Sequence, residues 1–448
     1  MGRLVVVSNR VPAPRDRQQP AGGLAVALRD ALSEGQCLWF GWSGQQISEH
    51  EKAERDVSID HVENVTYATI DLTHAEFDGF YQKYSNAILW PLCHYRAGLM
   101  EYNRKDREVY LDVNELFARK LLPLLKPDDL IWIHDYHLFP LGQALRDLGV
   151  TSPIGFFLHI PFPPWSLMKA LPGGTKLMQN MQAYDVIGLQ TEDDARNMND
   201  GFSICGVKAR AQVFPIGIDP ESFSEQAKAG EDLAEVQRLG ESLAGKPLII
   251  GVDRLDYSKG LPERLKGYET FLQRYPEHRG KVVYLQIAPV SRGDVEEYRL
   301  LKQGLDEAVG RINGSYGDFD WTPVRYLTHP VPRHLLAGFY RLANVALVTP
   351  LRDGMNLVAK EYVAAQDPED PGVLVLSHFA GAAPEMEDAL LVNPHDADEI
   401  AEALHKALIM PQAERKARWA LLQPDVWRVT AGSWARDFIG TLAKVKRA

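Results

Sequence analysis

The stretch "VALVTPLRDGMNLVAKEYVAAQ", residues 345–366, joins an apolar strand pattern to an apolar helix pattern, yet its joint carries Arg352, Asp353, Asn356, Lys360 and Glu361. Charges between two core elements cost too much to bury unless something polar meets them there. With Asp353-Gly354 as the end of the strand and the start of the helix, the amides of Met355, Asn356 and Leu357 would form a helix N-terminus suited to a phosphate. Asp353 would accept hydrogen bonds from sugar hydroxyls. Glu361, four residues after Leu357, shares its helix face and suits the two hydroxyls of a ribose. The competing reading is an exposed helix face with local ion pairs, and it is preferred for Arg352 and Lys360.

Other strand ends repeat this chemistry. "GVDRLDYSKGLPER" (251–264) places Arg254 and Lys259 in one strand-to-helix turn, a fork and a point charge that suit a diphosphate. A solvated, salt-bridged loop is the alternative, since Asp253, Asp256 and Glu263 lie in the same stretch. "SRGD" (291–294) adds Arg292 after "LQIAP". "SNR" (8–10) ends the first strand with Arg10, and "AGGLAVAL" (21–28) opens a helix with Gly22 and Gly23. That pair suits close approach of a phosphate or merely a tight turn. The fingerprint G-x-G-x-x-G is missing, which counts against a nicotinamide dehydrogenase. "IHDYH" (133–137) and "FFLHIPFPP" (156–164) put His134, Asp135, His137 and His159 at two further strand ends. Neighbours on a strand point to opposite faces, so His134 and Asp135 make a poor metal pair, and no metal is expected. A strand-end His that hydrogen-bonds a sugar and a buried structural His both remain open. Tyr81 and Trp90, taken singly, read as helix core.

These residues need elements to position them. Short, continuous apolar runs recur at 4–8, 38–42, 130–134, 154–159, 186–190 and 212–218, with helical patterns such as 77–90 and 113–125 between them. A second series follows at 247–255, 281–289, 324–328, 345–350, 372–377 and 389–394. Continuous rather than alternating apolarity implies strands covered on both faces, hence parallel sheets. The expected fold class is α/β, two doubly wound Rossmann-like domains, with chemistry beyond the carboxyl ends of the strands. The polar stretch 224–246 is the expected helical connector, giving domains at 1–225 and 226–448. The 448 residues exceed one ordinary core. A net charge of −11 without a Lys/Arg block argues against nucleic-acid and membrane-surface partners. Cys37, Cys93 and Cys205 lack metal spacing or an evident pairing, and no signal peptide or membrane span is evident, so a cytoplasmic setting is expected.

The motifs "RLVVVSNR", "AGGLAVAL", "LWFGWSG", "SNAILWPLCHYR", "IWIHDYHLFPL", "GFFLHIPFP", "PIGID", "RLDYSKGLPER", "QIAPVSRGD", "GRINGSYG" and "VTPLRDGMNLVAKEYVAAQ" occur in this order between Arg3 and about Pro394. Together they closely resemble the bacterial trehalose-6-phosphate synthase family of retaining glycosyltransferases. The resemblance implies a GT-B fold with the active site in the cleft between two domains and a last helix, about 428–446, crossing back to the first. It implies transfer of glucose from a nucleotide sugar, usually UDP-glucose, to glucose 6-phosphate, without metal or other cofactor.

By the same resemblance, Arg10 and Arg292 hold the acceptor phosphate, with Trp42, Tyr81, Trp90 and Asp135 at the acceptor. Gly22 and Gly23 approach the donor phosphates, Arg254 and Lys259 grip the diphosphate, and His159 and Asp353 bind the donor glucose. With His159, Arg254, Lys259 and Asp353 as the catalytic set, the donor site continues through Val331, Gly354, Met355, Asn356, Leu357, Val358, Ala359, Lys360 and Glu361, the last on the ribose. Base contacts near Val331 would rest on backbone groups. The segment between "TEDDARNMNDGF" and "QVFPIGID" is shorter than in familiar members. His378 and Pro384 replace an expected Glu or Gln and Asn or Ser. No D-x-D-G-T motif marks an added phosphatase domain. Competing functions are a sister enzyme with another phosphorylated acceptor, such as glycerol 3-phosphate, and a non-catalytic sugar-phosphate sensor. A homo-oligomer is compatible with the sequence.

Overall fold

The computed structural model describes residues 2–12, 36–290 and 296–445. It divides into two compact units, 1–216 with 431–448 and 217–430. The first unit holds an eight-stranded sheet of β1 (Leu4–Arg10), β2 (Cys37–Ile47), β3 (Ser58–Val62), β4 (Val65–Thr73), β5 (Leu130–His134), β6 (Ile154–Phe157), β7 (Val186–Leu189) and β8 (Ala211–Val213). Its order is β3-β4-β2-β1-β5-β6-β7-β8, parallel except for the β3–β4 pair. The second unit carries β9 (Leu248–Val252), β10 (Val283–Ile287), β11 (Val324–Leu327), β12 (Val345–Val348), β13 (Val373–Ser377) and β14 (Leu390–Val392), all parallel, in the order β11-β10-β9-β12-β13-β14. Counted within its unit, the second sheet has the doubly wound order 3-2-1-4-5-6, and the first has the same order from β4 to β7 once the antiparallel β3 is left out of the count, with β8 added at the edge; the order reverses between β1 and β5 and between β9 and β12.

Among the described residues, the helices of seven or more α-helical residues are α1 (Arg104–Leu121), α2 (Leu141–Asp147), α3 (Gly174–Asn180), α4 (Glu192–Cys205), α5 (Pro220–Gly230), α6 (Ala234–Leu243), α7 (Leu261–Arg274), α8 (Glu296–Tyr316), α9 (Arg333–Leu342), α10 (Leu357–Ala365), α11 (Ala397–Ile409), α12 (Gln412–Arg428) and α13 (Ala431–Ala443). β5, β6 and β7 are buried at every position, as continuous apolar runs require. α13 closes the first core: Phe438 stacks on Trp132 at 4.7 Å and 13°. A Cβ at Gly155 would lie 2.6 Å from the Phe438 ring, so a residue without a side chain is what lets the helix lie on β6. Burying an aromatic of this size contributes about 1.5–3 kcal/mol.

The division falls at 216/217, ahead of the expected 225/226. The polar stretch 224–246 is helical as expected, most of it lying in α5 and α6, but it belongs wholly to the second unit. Phe223 and Ala227 are fully buried on one face of α5, and Arg333 lies over the Phe223 ring at 5.0 Å. The antiparallel hairpin β3–β4 was not among the expected strands. β3 is almost wholly exposed and reads "SIDHV", with none of the continuous apolarity used to find the others.

Candidate functional site

In the first unit the relevant side chains gather where the strand order reverses. Arg10 ends β1, and its guanidinium lies over Trp42 at 5.7 Å. It also rests against Gly44: a Cβ there would lie 2.7 Å from Arg10 Nη2, and the φ of 93° suits only glycine. Trp42 meets Tyr81 at 6.1 Å and donates its indole N–H to the Gln45 carbonyl at 2.7 Å. Tyr81 belongs to Phe77–Leu89, which winds as a π-helix rather than the ordinary helix expected. Asn86 Nδ2 donates to the Tyr81 carbonyl five residues back, at 2.9 Å. Such wide turns are rare and concentrate at functional sites. Tyr81 then stacks on His137 at 5.7 Å and 12°, and Trp90 packs on Tyr136 at 5.6 Å.

Asp135 leaves β5 with a φ of 77°, uncommon for a residue with a side chain and frequent at functional turns. Its carboxylate accepts from the His159 amide at 3.3 Å, joining the ends of β5 and β6. His134 Nδ1 and His159 Nε2 lie 3.1 Å apart. Burial pulls the His159 imidazole down to about 3, and burial, then His159, holds His134 well below the usual range. Both rings are neutral at pH 7, and the pair joins the strand ends through one shared hydrogen bond. Arg10, Trp42, Tyr81, Trp90, Asp135 and His159 therefore belong to one connected cluster.

The second unit builds its half from charge. Arg254 is exposed just past β9, while Lys259 Nζ pairs with Asp353 Oδ2 at 2.5 Å, linking the loops after β9 and β12. Gly260 follows with a φ of 64°, and a Cβ there would lie 2.3 Å from the Thr349 carbonyl, so glycine lets the two loops touch. Beneath them Arg264, the last residue of "GVDRLDYSKGLPER", is fully buried. It pairs with Asp253 at 2.7 Å and donates to Thr349 Oγ1 at 2.9 Å, Gln286 Oε1 at 3.2 Å and the Lys259 carbonyl at 3.3 Å. One guanidinium thus ties β9, β10 and β12 together below Arg254, Lys259 and Asp353. Burial pushes the Asp253 carboxyl up, and Arg264 opposes that shift.

The opening stretch folds differently from its expected course in one respect. The helix starts at Leu357, not at Gly354, because Asn356 adopts a φ of 78° and caps it, accepting from the Ala359 amide at 3.2 Å. Asn356 also donates to Asp353 at 3.0 Å. The amides left for an anion are those at the true helix start, Leu357 and Val358, whereas Gly354 and Met355 belong to the loop. That loop is fixed by Phe379 and Gly381: the Asp353 amide donates to the Phe379 carbonyl at 3.1 Å, and the Gly381 amide to the Asp353 carbonyl at 3.0 Å.

Glu361 accepts from Arg333 at 3.1 Å. Burial raises its carboxyl and Arg333 opposes the rise. Lys360 is 1% exposed and pairs with Glu385 at 2.8 Å, in the turn that holds Pro384. This is the structural ion pair preferred for it, so its side chain is committed away from a ligand and only its backbone remains for donor contact. Arg352 lies over Phe379 at 5.5 Å. Val331 is half-buried two residues before α9. Gly22, Gly23 and Arg292 lie outside the described residues.

The chain matches glycosyltransferase family 20 over residues 2–444. The trehalose-6-phosphate synthase of Cronobacter sakazakii is 49% identical over 459 residues, 99% of this chain and 96% of that protein. Among solved structures, an alpha,alpha-trehalose-phosphate synthase (UDP-forming) from Burkholderia xenovorans in complex with glucose-6-phosphate superposes with a TM-score of 0.94 at 46% identity, covering 98% of this chain and all of that one. An Escherichia coli structure bound with UDP-2-fluoro glucose superposes with a TM-score of 0.94 at 47% identity, over 99% and 100% of the two chains. Two doubly wound sheets with polar strand ends, matched along nearly the whole length, place this chain in glycosyltransferase family 20, with the two-domain α/β GT-B fold.

Proposed function

We infer that the chain transfers glucose from UDP-glucose to glucose 6-phosphate with retention of configuration, giving trehalose 6-phosphate and UDP. The observation that carries this is the match over residues 2–444, within which both sets of strand-end residues are intact. The first unit offers what a phosphorylated pyranose needs: Arg10 for the phosphate, Trp42 and Tyr81 as ring faces with Trp90 beside them, and Asp135 for hydroxyls. The second offers what a nucleotide sugar needs. Arg254 and Lys259 meet the diphosphate, Asp353 the glucose hydroxyls, the amides of Leu357 and Val358 a phosphate oxygen, and Glu361 the ribose diol.

In the reaction the bond from the glucose anomeric carbon to the diphosphate oxygen breaks, and a bond to the acceptor hydroxyl oxygen forms on the same face. The hydroxyl proton passes to the departing phosphate oxygen. Charge accumulates on the diphosphate, so Arg254 and Lys259 supply the electrostatic stabilisation. No protein nucleophile is assigned, and the paired carboxylates of retaining glycosidases have no counterpart in this reading. His159, neutral, binds the donor glucose as a hydrogen-bonding group rather than a cation. The proposal includes no metal or other cofactor, and it places the enzyme in the cytoplasm. Among the described residues no helix is long and apolar enough to cross a membrane.

A matrix of UDP-, GDP- and ADP-glucose, each with glucose 6-phosphate or glycerol 3-phosphate, tests the reading through released nucleotide. Turnover is expected with UDP-glucose and glucose 6-phosphate. Preference for glycerol 3-phosphate would replace the acceptor, and silence in all six mixtures would leave only a sugar-phosphate sensor.

A further inference from the structure

We propose that a cavity of about 670 Å³ between α1, α2 and α3 of the first unit binds a small phosphorylated polyol and tunes acceptor binding through the turn after Asp135. Its volume lies in the range of small-molecule sites. Two cations, Arg107 and Lys176, come to it from different helices. The Arg107 guanidinium lies against the backbone at Gly173, where a Cβ would be 2.8 Å from its Nε. Arg119 is partly neutralised by Glu115 at 3.4 Å, which leaves Arg107 and Lys176 as the natural partners of a phosphate.

Just beneath the cavity wall lies a polar side chain with unspent capacity. Asn114, 1% exposed, donates through Nδ2 to the carbonyls of Tyr110 at 2.9 Å and His137 at 3.1 Å. These two bonds fix its orientation, and its Oδ1 has no partner among the described residues. A buried acceptor left unmet is costly; this oxygen is closed off from solvent in the structure, so a ligand hydroxyl supplies the missing donor only by shifting α1.

The same residues reach the turn that carries Asp135. Tyr110, fully buried beside Asn114, donates its hydroxyl to the Tyr136 carbonyl at 2.8 Å. Two residues lining the cavity therefore hold the carbonyls of the two residues after Asp135, and His137 in turn stacks on Tyr81. A ligand that engages Asn114 or shifts α1 changes the support of Asp135 and Tyr81. By linkage, glucose 6-phosphate must change that ligand's affinity by the same factor. The binding part of the proposal stands by itself, and the coupling part rests on the acceptor role given to Asp135 and Tyr81.

The test titrates fructose 6-phosphate, glycerol 3-phosphate and inorganic phosphate into the full chain by calorimetry. The variants are Arg107→Ala with Lys176→Ala, the cavity-filling Leu111→Trp, and the acceptor-site Arg10→Ala. At least one polyol phosphate is expected to bind more tightly than inorganic phosphate. Its affinity should fall tenfold or more in both cavity variants and persist in Arg10→Ala. Hydrogen exchange over residues 134–138 should slow or quicken on binding, and the acceptor KM should shift at least twofold in the unmodified chain but not in the cavity variants. Binding abolished by Arg10→Ala and untouched by the cavity variants would overturn the site, as would a second copy of the chain covering this face in sedimentation. Binding without any change in acceptor KM or exchange would overturn the coupling. Should the chain prove inactive, the calorimetric comparison still decides the site.

Discussion

The switch points of the two sheets use the same strand order and opposite chemistry. In the first unit the strand ends are lined by rings, and His134 and His159 are neutral. Arg10, the cation assigned to its strand ends among the described residues, lies over an indole and against a glycine backbone. In the second unit Arg254, Lys259 and Asp353 stand above a fully buried guanidinium with its own buried carboxylate. A phosphorylated pyranose is mostly ring and hydroxyl, so stacking faces with one guanidinium suit it. A departing diphosphate gains charge during reaction, and cations held in place beforehand stabilise it without reorganisation. The fold supplies the location, and side chains at equivalent strand ends supply the difference.

The comparison breaks most severely at Arg264. Arg264→Ala leaves Asp253 buried without its partner and should cost about 3–5 kcal/mol of stability in urea unfolding. Arg264→Met combined with Asp253→Leu should recover much of that loss while turnover stays depressed, because the loops lose their common tie. Full activity in the folded double variant would mean that Arg264 positions nothing.

Next comes Arg254→Ala, expected to lower kcat/KM by about 2–4 kcal/mol of transition-state stabilisation, with little change in Tm because the residue is exposed. Near-normal turnover would remove it from the diphosphate.

The first unit is expected to be the more sensitive to acid, since both of its paired histidines are held neutral by burial. Unfolded histidines take up protons as pH falls through about 6.5, whereas folded His134 and His159 resist until far lower. Their contribution is complete above that pH and is lost below it, by about 1.4 kcal/mol per pH unit for each. Urea midpoints between pH 7 and 5 should fall accordingly, and His159→Gln should flatten the slope. An unchanged slope would put the acid sensitivity elsewhere.

Smallest is Tyr81→Leu, which removes one stacking face worth about 0.5–1.5 kcal/mol. It should raise the KM for glucose 6-phosphate several-fold and leave that for UDP-glucose unchanged. Equal effects on both substrates would blur the division of labour between the halves.

Much of this was legible in the residues. "LIWIH" is β5 to the residue, and the apolar runs of the second half each contain one of β9 to β14. Covered parallel strands must be apolar on both faces, and that pattern survives without tertiary knowledge. Lys360 was expected in an ion pair on an exposed helix face; Glu385 provides the pair, but the lysine is buried rather than exposed. Other features depend on contacts distant in sequence. The start of α10 shifted because Asn356 tolerates a left-handed backbone and finds the Ala359 amide, a choice that the apolar periodicity does not record. Polar 224–246 was expected to be helical, and it is, but the boundary was placed in it because the mean polarity of a segment hides its buried face. β3 was missed because an exposed antiparallel strand need not be apolar at all.

The sequence by itself determined the parallel two-sheet class, the strand ends where chemistry gathers, and the kinds of group a ligand must present there, since burial and charge are local costs that each segment declares. Tertiary structure alone decided that His134 and His159 share one hydrogen bond, that Asp135 leaves its strand at a φ of 77°, and that Arg264 draws three strand ends to one point. Each of these depends on partners far apart along the chain. Their effect arises only once water is excluded between them, because only then do one hydrogen bond or one guanidinium outweigh the freedom they restrain.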